Sequence, residues 1–254
     1  MLKKLIQAVF QSILGFERYL FWFSRFKIHT LHLDSQKKEG DFFHFLTLLS
    51  PSDHVLDIGA NIGIMTVHLA KACPQGNISA FEPVPDNFQT LKKIVAHYQL
   101  PNVALHPIAL GNQRSKIQMA MPIMKGVRMQ GLSYVTHPSI EGYETEHNAY
   151  EVAQWPLDEF GPLQGQAVHA IKMDVENYEQ FVLAGGKRLL QTHHPIIYTE
   201  LWDNDNRQAC IQLLEKIGYQ CFVFTGQSLV LFDPHQHSQH NFFFLPEKAD
   251  SSAS

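Results

Sequence analysis

The sequence predicts an α/β fold with a largely parallel, doubly wound sheet, and three observations predict it. First, the stretch His54–Gly63, HVLDIGANIG, passes from a short apolar run through an acidic, glycine-rich turn into the apolar periodicity of IMTVHLAKAC. That is the pattern of a buried strand, a tight turn and a helix N-terminus. Second, the alternation repeats: strand 54–59, helix 61–73, strand 77–82, helix 85–98, strand 103–110, with short loops at Pro74–Gly76 and Pro101–Asn102. Strands alternating with helices of this length make βαβ units. Third, 45% hydrophobic residues can fill a core, and 17% charged residues argue against disorder.

The elements then follow in order. Residues 1–28 carry Phe16, Tyr19, Phe21, Trp22, Phe23 and Phe26 on an amphipathic helical pattern. Two readings of this segment stay open: a helix packed on the main domain or on a second subunit, and a surface that lies on a membrane or over a greasy substrate. Residues 35–53 predict a second helix rich in Phe and Leu, closed by Ser50-Pro51. Together these make an N-terminal helical extension, 1–50, ahead of a main domain, 51–247.

After Gly111 the rhythm breaks. Residues 112–165, with Met119, Met121, Met124 and Met129, read as short antiparallel strands and loops inserted at the ligand edge of the sheet. The methionines suit either an adaptable pocket lining or ordinary core. The sheet resumes at VHAIKMD, 168–174, followed by a helix interrupted at Gly185-Gly186, the strand 195–202 and a helix from Asn206 to Gly218. Aromatic and β-branched runs at 219–225, 228–233 and 241–246 predict the last strands, two of them a hairpin about Gly226. Residues 248–254, KADSSAS, read as a disordered tail.

Charge and cysteine usage exclude several classes. A net charge of −4 without a basic stripe gives no electrostatic case for nucleic acid. Cys73, Cys210 and Cys221 are scattered and odd in number, which predicts buried thiols in a reducing compartment. The N-terminus lacks a small-residue cleavage site, and Glu17, Arg18 and Arg25 interrupt the ~20 apolar residues that a membrane span needs. The expected location is the cytoplasm, with membrane-peripheral attachment left open.

The chemistry begins at the first turn. Dinucleotide sites place G-x-G-x-x-G there, but this chain has D-x-G-x-N-x-G. A carboxylate at Asp57 repels a pyrophosphate and suits an ammonium or sulfonium, which points to S-adenosylmethionine rather than a nicotinamide cofactor. Gly59 and Gly63 permit a ligand to lie against the main chain. Glu82, ending the second strand, is placed to take ribose hydroxyls. Asp174, Glu176 and Glu200 follow at ends of later strands, with Lys172 on the same face as Asp174. Neighbouring carboxylates there serve either as a general base with a raised pKa or as ligands for a cation such as magnesium. His137 and His147 are reserve bases, Thr192-His193-His194 reads as a turn, and the spacing of His235, His237 and His240 matches no zinc pattern.

Several motifs together carry a resemblance: VLDIGANIG, FEPVPDNFQTL, the ALGN turn at 109–112, WPLDEF, IKMDVENYEQFVLAGG and YTEL, in order over about residues 50–202. The chain resembles FkbM-family methyltransferases. The resemblance implies a class I methyltransferase (Rossmann-like) fold with seven strands, the last one antiparallel. It also implies S-adenosylmethionine as donor and O-methylation of a sugar, glycan, lipid or polyketide-like hydroxyl. By the same resemblance Asp57, Gly59, Asn61 and Gly63 form the methionine side of the pocket, Glu82 holds the ribose with Pro83 shaping the turn, Ala109 and Leu110 flank the adenine, and Asp174, Glu176 and Glu200 face the methyl group and acceptor. The family's D-x-E-G-x-E reads DVENYE here, with Asn177 in place of Gly and Glu179 in the second acidic position. Asn is the next best residue for a left-handed dihedral, so the turn is expected to survive. Two competing readings are a nicotinamide-dependent oxidoreductase and a non-catalytic adapter that keeps the fold.

Overall fold

A computed structural model describes residues 2–34, 39–138, 140 and 145–247; the expected disordered tail, 248–254, lies outside the described residues. The aromatic N-terminal segment is two helices, α1 (Leu2–Leu14) and α2 (Phe16–Thr30), rather than one. Gly15 separates them with φ 75° and ψ 150°, a positive-φ extended conformation that glycine alone adopts readily and that breaks the helix. Tyr19, Leu20, Ser24 and Ile28 form the buried face of α2. They pack on Ile62, Val67 and Ile94, and Ser24 Oγ donates to the Ile62 carbonyl at 2.9 Å. The predicted second helix is shorter than its pattern: α3 spans Gly40–Thr47, and residues 35–38 are outside the described part.

From there the alternation holds: β1 (His54–Ile58), α4 (Ile64–Ala72), β2 (Asn77–Phe81), α5 (Pro85–His97) and β3 (Val103–His106). The third strand stops before Pro107, which has no N–H to donate to the ladder. Its expected continuation, β4 (Ala109–Leu110), joins a second sheet. That sheet is the insertion: β5 (Ser115–Met124) pairs antiparallel with β8 (His147–Trp155), while β6 (Val127–Arg128) and β7 (Tyr134–Val135) both lie on β5. The main sheet resumes with β9 (Ala170–Met173), α6 (Glu179–Ala184), α7 (Lys187–His193), β10 (Ile196–Glu200), α8 (Asp205–Glu215), β11 (Tyr219–Phe224), β12 (Leu229–Leu231) and β13 (Asn241–Pro246). The break at Gly185-Gly186 falls where the sequence placed it. Thr192 and His193 end α7, so the expected turn begins only at His194, φ 46°.

The sheet order is β12-β11-β13-β10-β9-β1-β2-β3, with β3, β2, β1, β9 and β10 parallel and β13 antiparallel to both neighbours. Among the described residues it has eight strands, one more than the seven the resemblance implies. The additional one, β12, is the run expected at 228–233, folded back on β11 as a hairpin across Gly226, where Thr225 N–H donates to the Ser228 carbonyl at 3.0 Å. Side chains alternate between two cores. Leu56, Ile58, Ile171, Met173, Phe242 and Phe244 face the side of α6 and the insertion, and Val55, Ala170, Tyr198 and Phe243 face α3 and α4. Removing each such Phe or Leu from water contributes roughly 1.5–3 kcal/mol, so the period-2 pattern fixes the register of every central strand.

Candidate active site

A cavity opens at the carboxyl ends of β1 and β2 beneath the insertion. Its wall includes Gly59, Asn61, Glu82, Pro83, Ala109, Leu110, Asp174 and Glu176 from the sequence expectations. Phe81, Asn87, Ile108, Gln130, Gly131, Ser133, Val135 and Tyr178 also line it, and sequence reasoning missed them as site residues, whereas Met119 was among the methionines read as a possible pocket lining. Asn87 had a local signal, one turn into the helix after Glu82. Apart from Met119, the residues of the insertion had none, because only folding of β5 to β8 brings them over the turn. Met119 and Met121 are both buried in the core, and Met119 also lines the cavity, so the two methionine readings meet at Met119.

Two expected pocket residues lie outside the cavity wall. Asp57 is fully buried beneath the turn instead of lining the cavity. The parallel register sets Asp57 opposite Lys172, and strand alternation turns both toward α4. Thr66 Oγ1 donates to Asp57 Oδ2 at 2.6 Å, and Lys172 Nζ stands 3.4 Å from Oδ1. Gly63 also lies outside the wall. Its φ of 82° starts α4, and a Cβ there would meet the Leu91 side chain at 2.8 Å. Gly59 is required by protein rather than by ligand alone, since a Cβ would lie 1.9 Å from the Asp174 carbonyl oxygen. Lys172 completes this joint by donating to the Gly59 carbonyl at 3.1 Å. Burial pulls the Lys172 pKa down, but Asp57 and Asp174 outweigh it and leave it raised.

Glu82 is held in place from two sides. Its Oε2 accepts the Asn61 N–H at 2.9 Å and its Oε1 accepts the Val84 N–H at 2.8 Å. Burial raises its pKa to about 7 against the pull of those donors. The Oδ1 atoms of Asn61 and Asn87 are buried without a hydrogen-bond partner among the described residues, and both residues line the cavity. An unpaired buried acceptor costs about 1–3 kcal/mol, so these atoms call for donors from a ligand. S-adenosylmethionine carries such donors in its ammonium, ribose hydroxyls and adenine amine, and an apolar slot beside Ile108, Ala109 and Leu110 suits a flat base. The residues fit this cofactor.

A second cavity lies against the first, lined by Glu39, Met65, Lys172, Met173, Asp174, Tyr198, Glu200 and Asn241. Asp174 is the residue common to both walls. Glu176 and Asn177 follow it with φ of 53° and 68°, so Asn177 does adopt the left-handed conformation expected at the family's Gly position. Glu179 anchors this turn: its Oε1 accepts the Val175 N–H at 3.1 Å and its Oε2 accepts Asn206 Nδ2 at 2.7 Å. Burial, then the Asp174 and Glu200 charges, push Glu176 up to about 9. Burial, then Asp174, push Glu200 up to about 7.

The magnesium expectation gains no support, because among the described residues no group of three or more His, Cys, Asp or Glu is arranged to hold a metal. The reserve bases lie elsewhere. His137 packs its ring 4.9 Å from Phe181, His147 is exposed, and neither lines a cavity described above. His235 and His237 belong to a turn on Asp233, whose N–H donates to His237 Nδ1 at 2.9 Å.

The sheet order, the reversed β13 and a cavity at the β1–β2 edge define the class I methyltransferase fold. The methyltransferase FkbM domain model matches residues 57–221, and the chain belongs to that family. It is an S-adenosylmethionine-dependent methyltransferase, which sets aside the nicotinamide and adapter readings. The chain is 27% identical over 185 residues to Methyltransferase 1 of Beauveria bassiana, a match covering 66% of this chain and 73% of that protein. The crystal structure of methyltransferase FkbM from Methylobacillus flagellatus is similar in fold, with a TM-score of 0.51 at 17% identity. That likeness covers 77% of this chain, which spans only 44% of the other. None of the described helices is long and apolar enough to cross a membrane.

Proposed function

We propose that the enzyme methylates a hydroxyl of a sugar, glycan, lipid or polyketide-like acceptor seated in the second cavity. The observation that carries this reading is that Asp174 lines both cavities, so a donor in one and an acceptor in the other would be neighbours at that residue. In this reading Glu82 takes the ribose hydroxyls, Ala109 and Leu110 flank the adenine, and Asn61 Oδ1 accepts from the methionine ammonium. S-adenosylmethionine supplies an electrophilic methyl group on sulfur. The protein supplies position and a proton acceptor. An aliphatic hydroxyl is a weak nucleophile until its proton leaves, and a base titrating near neutrality removes it best. Glu200, with its pKa near 7, is such a base in the acceptor cavity. Asp174 orients the hydroxyl at the junction, and Glu176, protonated at neutral pH, donates a hydrogen bond from the donor side.

The test is transfer of an isotopically labelled methyl group to a panel of glycan, lipid and polyketide hydroxyls. Glu200→Gln and Asp174→Asn are expected to lower kcat by roughly 100-fold or more while S-adenosylhomocysteine still binds. Label appearing on nitrogen acceptors alone, or unchanged kcat in both variants, refutes the reading.

A further inference from the structure

The outward face of α2 has no part in the site, yet it is organised. Arg18, Trp22, Arg25, Phe26 and His29 recur every three to four residues, and Leu33 continues the stripe past the helix end. This stripe lies opposite the face buried on α4 and α5. Its large side chains are open: Trp22 is 55% exposed, Phe26 62% and Leu33 69%. On α1, Phe10 and Ile13 are exposed as well. The Arg25 guanidinium lies 4.8 Å above the Trp22 ring. The stripe carries no carboxylate, and the one acid of α2, Glu17, pairs with Lys93 of α5. Beside it, a groove between α2 and α5 is lined by Arg18, Phe21, Trp22 and His97 together with the Lys93–Glu17 pair. In a chain of net charge −4, this is a local concentration of cations and aromatic rings.

We propose that the α2 stripe and its groove dock the enzyme on an anionic lipid surface. Trp and Phe place their rings at the depth of headgroups and upper acyl chains, while Arg keeps its charge at the phosphates. With Lys93 answered by Glu17, Arg18 leaves the groove one positive charge to offer a phosphate headgroup. Charge decides between a bilayer and a second copy of the chain. A two-fold contact would oppose Arg18 and Arg25 to themselves, and the one nearby acid, Glu17, is already paired with Lys93, whereas an anionic membrane answers both arginines.

Co-sedimentation with vesicles tests this, using phosphatidylcholine alone and phosphatidylcholine mixed with phosphatidylserine. The full chain is expected to bind the mixed vesicles at least roughly tenfold more tightly than the neutral ones, and less tightly as salt rises. Trp22→Glu/Phe26→Glu and, separately, Arg18→Glu are expected to weaken that binding by a similar factor. Both leave S-adenosylhomocysteine binding unchanged, because their side chains are outside both cavities. Binding to neither vesicle, or equal binding by the variants, overturns the proposal. So does a wild-type dimer in light scattering that Trp22→Glu/Phe26→Glu dissociates without any vesicle binding, which assigns the face to a second copy.

Discussion

Lys172 and Asp57 are paired inside the sheet, 3.4 Å apart, and the same ammonium donates to the Gly59 carbonyl of the cofactor turn. The turn is therefore held by a buried charge pair on adjacent strands. Lys172→Met leaves the Asp57 carboxylate buried and unanswered, and is expected to lower stability by about 3–5 kcal/mol in urea unfolding. Adding Asp57→Asn to that variant restores part of the loss, because the orphaned charge is removed. A loss under about 1 kcal/mol for Lys172→Met would mean that water reaches the pair.

Gly59 is the tightest point of the joint. Gly59→Ala would set a Cβ 1.9 Å from the Asp174 carbonyl at a φ of 78°. Either the turn or the β9 end must shift, and the expected result is a destabilisation above about 2 kcal/mol together with loss of cofactor binding. Thermal melts with and without S-adenosylhomocysteine measure both; a ligand-induced rise in Tm equal to wild type would contradict the packing described.

The buried carboxyls make stability depend on pH. The native pKa of Glu176 lies at about 9, and those of Glu82, Glu179 and Glu200 at about 7, against an ordinary value of 4.5. The folded protein holds protons that the unfolded chain has released, so this stabilisation is complete below 4.5 and is lost as pH rises through 7 toward 9. Tm of the ligand-free enzyme should fall over that window, and Glu176→Gln should flatten its upper part. A Tm that rises across the same window would show the carboxyls to be ionised and paired.

The strands and helices of the central sheet were legible because each is a local pattern. VLDI, ISAF and AIKM are buried on both faces, and the glycine-rich turn that follows the first of them is short. The left-handed Asn177 was legible only through the family's Gly at that position. What stayed hidden depended on partners far along the chain. Asp57 looked like a ligand because its acidity was visible and its partner, Lys172, was not. Gly15 sat inside an apolar pattern that concealed a helix break, and Pro107 moved Ala109 and Leu110 to another sheet without moving them from the cavity. Ser133 and Tyr178 reach the site from segments whose pairing no short window encodes.

The central claim is that the cavity above β1 and β2 holds the donor through Glu82, whose carboxylate is fixed by the Asn61 and Val84 N–H groups. Calorimetric titration of S-adenosylhomocysteine into the wild-type enzyme and into Glu82→Ala tests it most directly. The wild type is expected to bind with measurable heat, and the variant at least roughly tenfold more weakly, the worth of a hydrogen-bonded charged group in a ligand site. Equal affinity in a folded Glu82→Ala, or no heat with the wild type, would contradict the account.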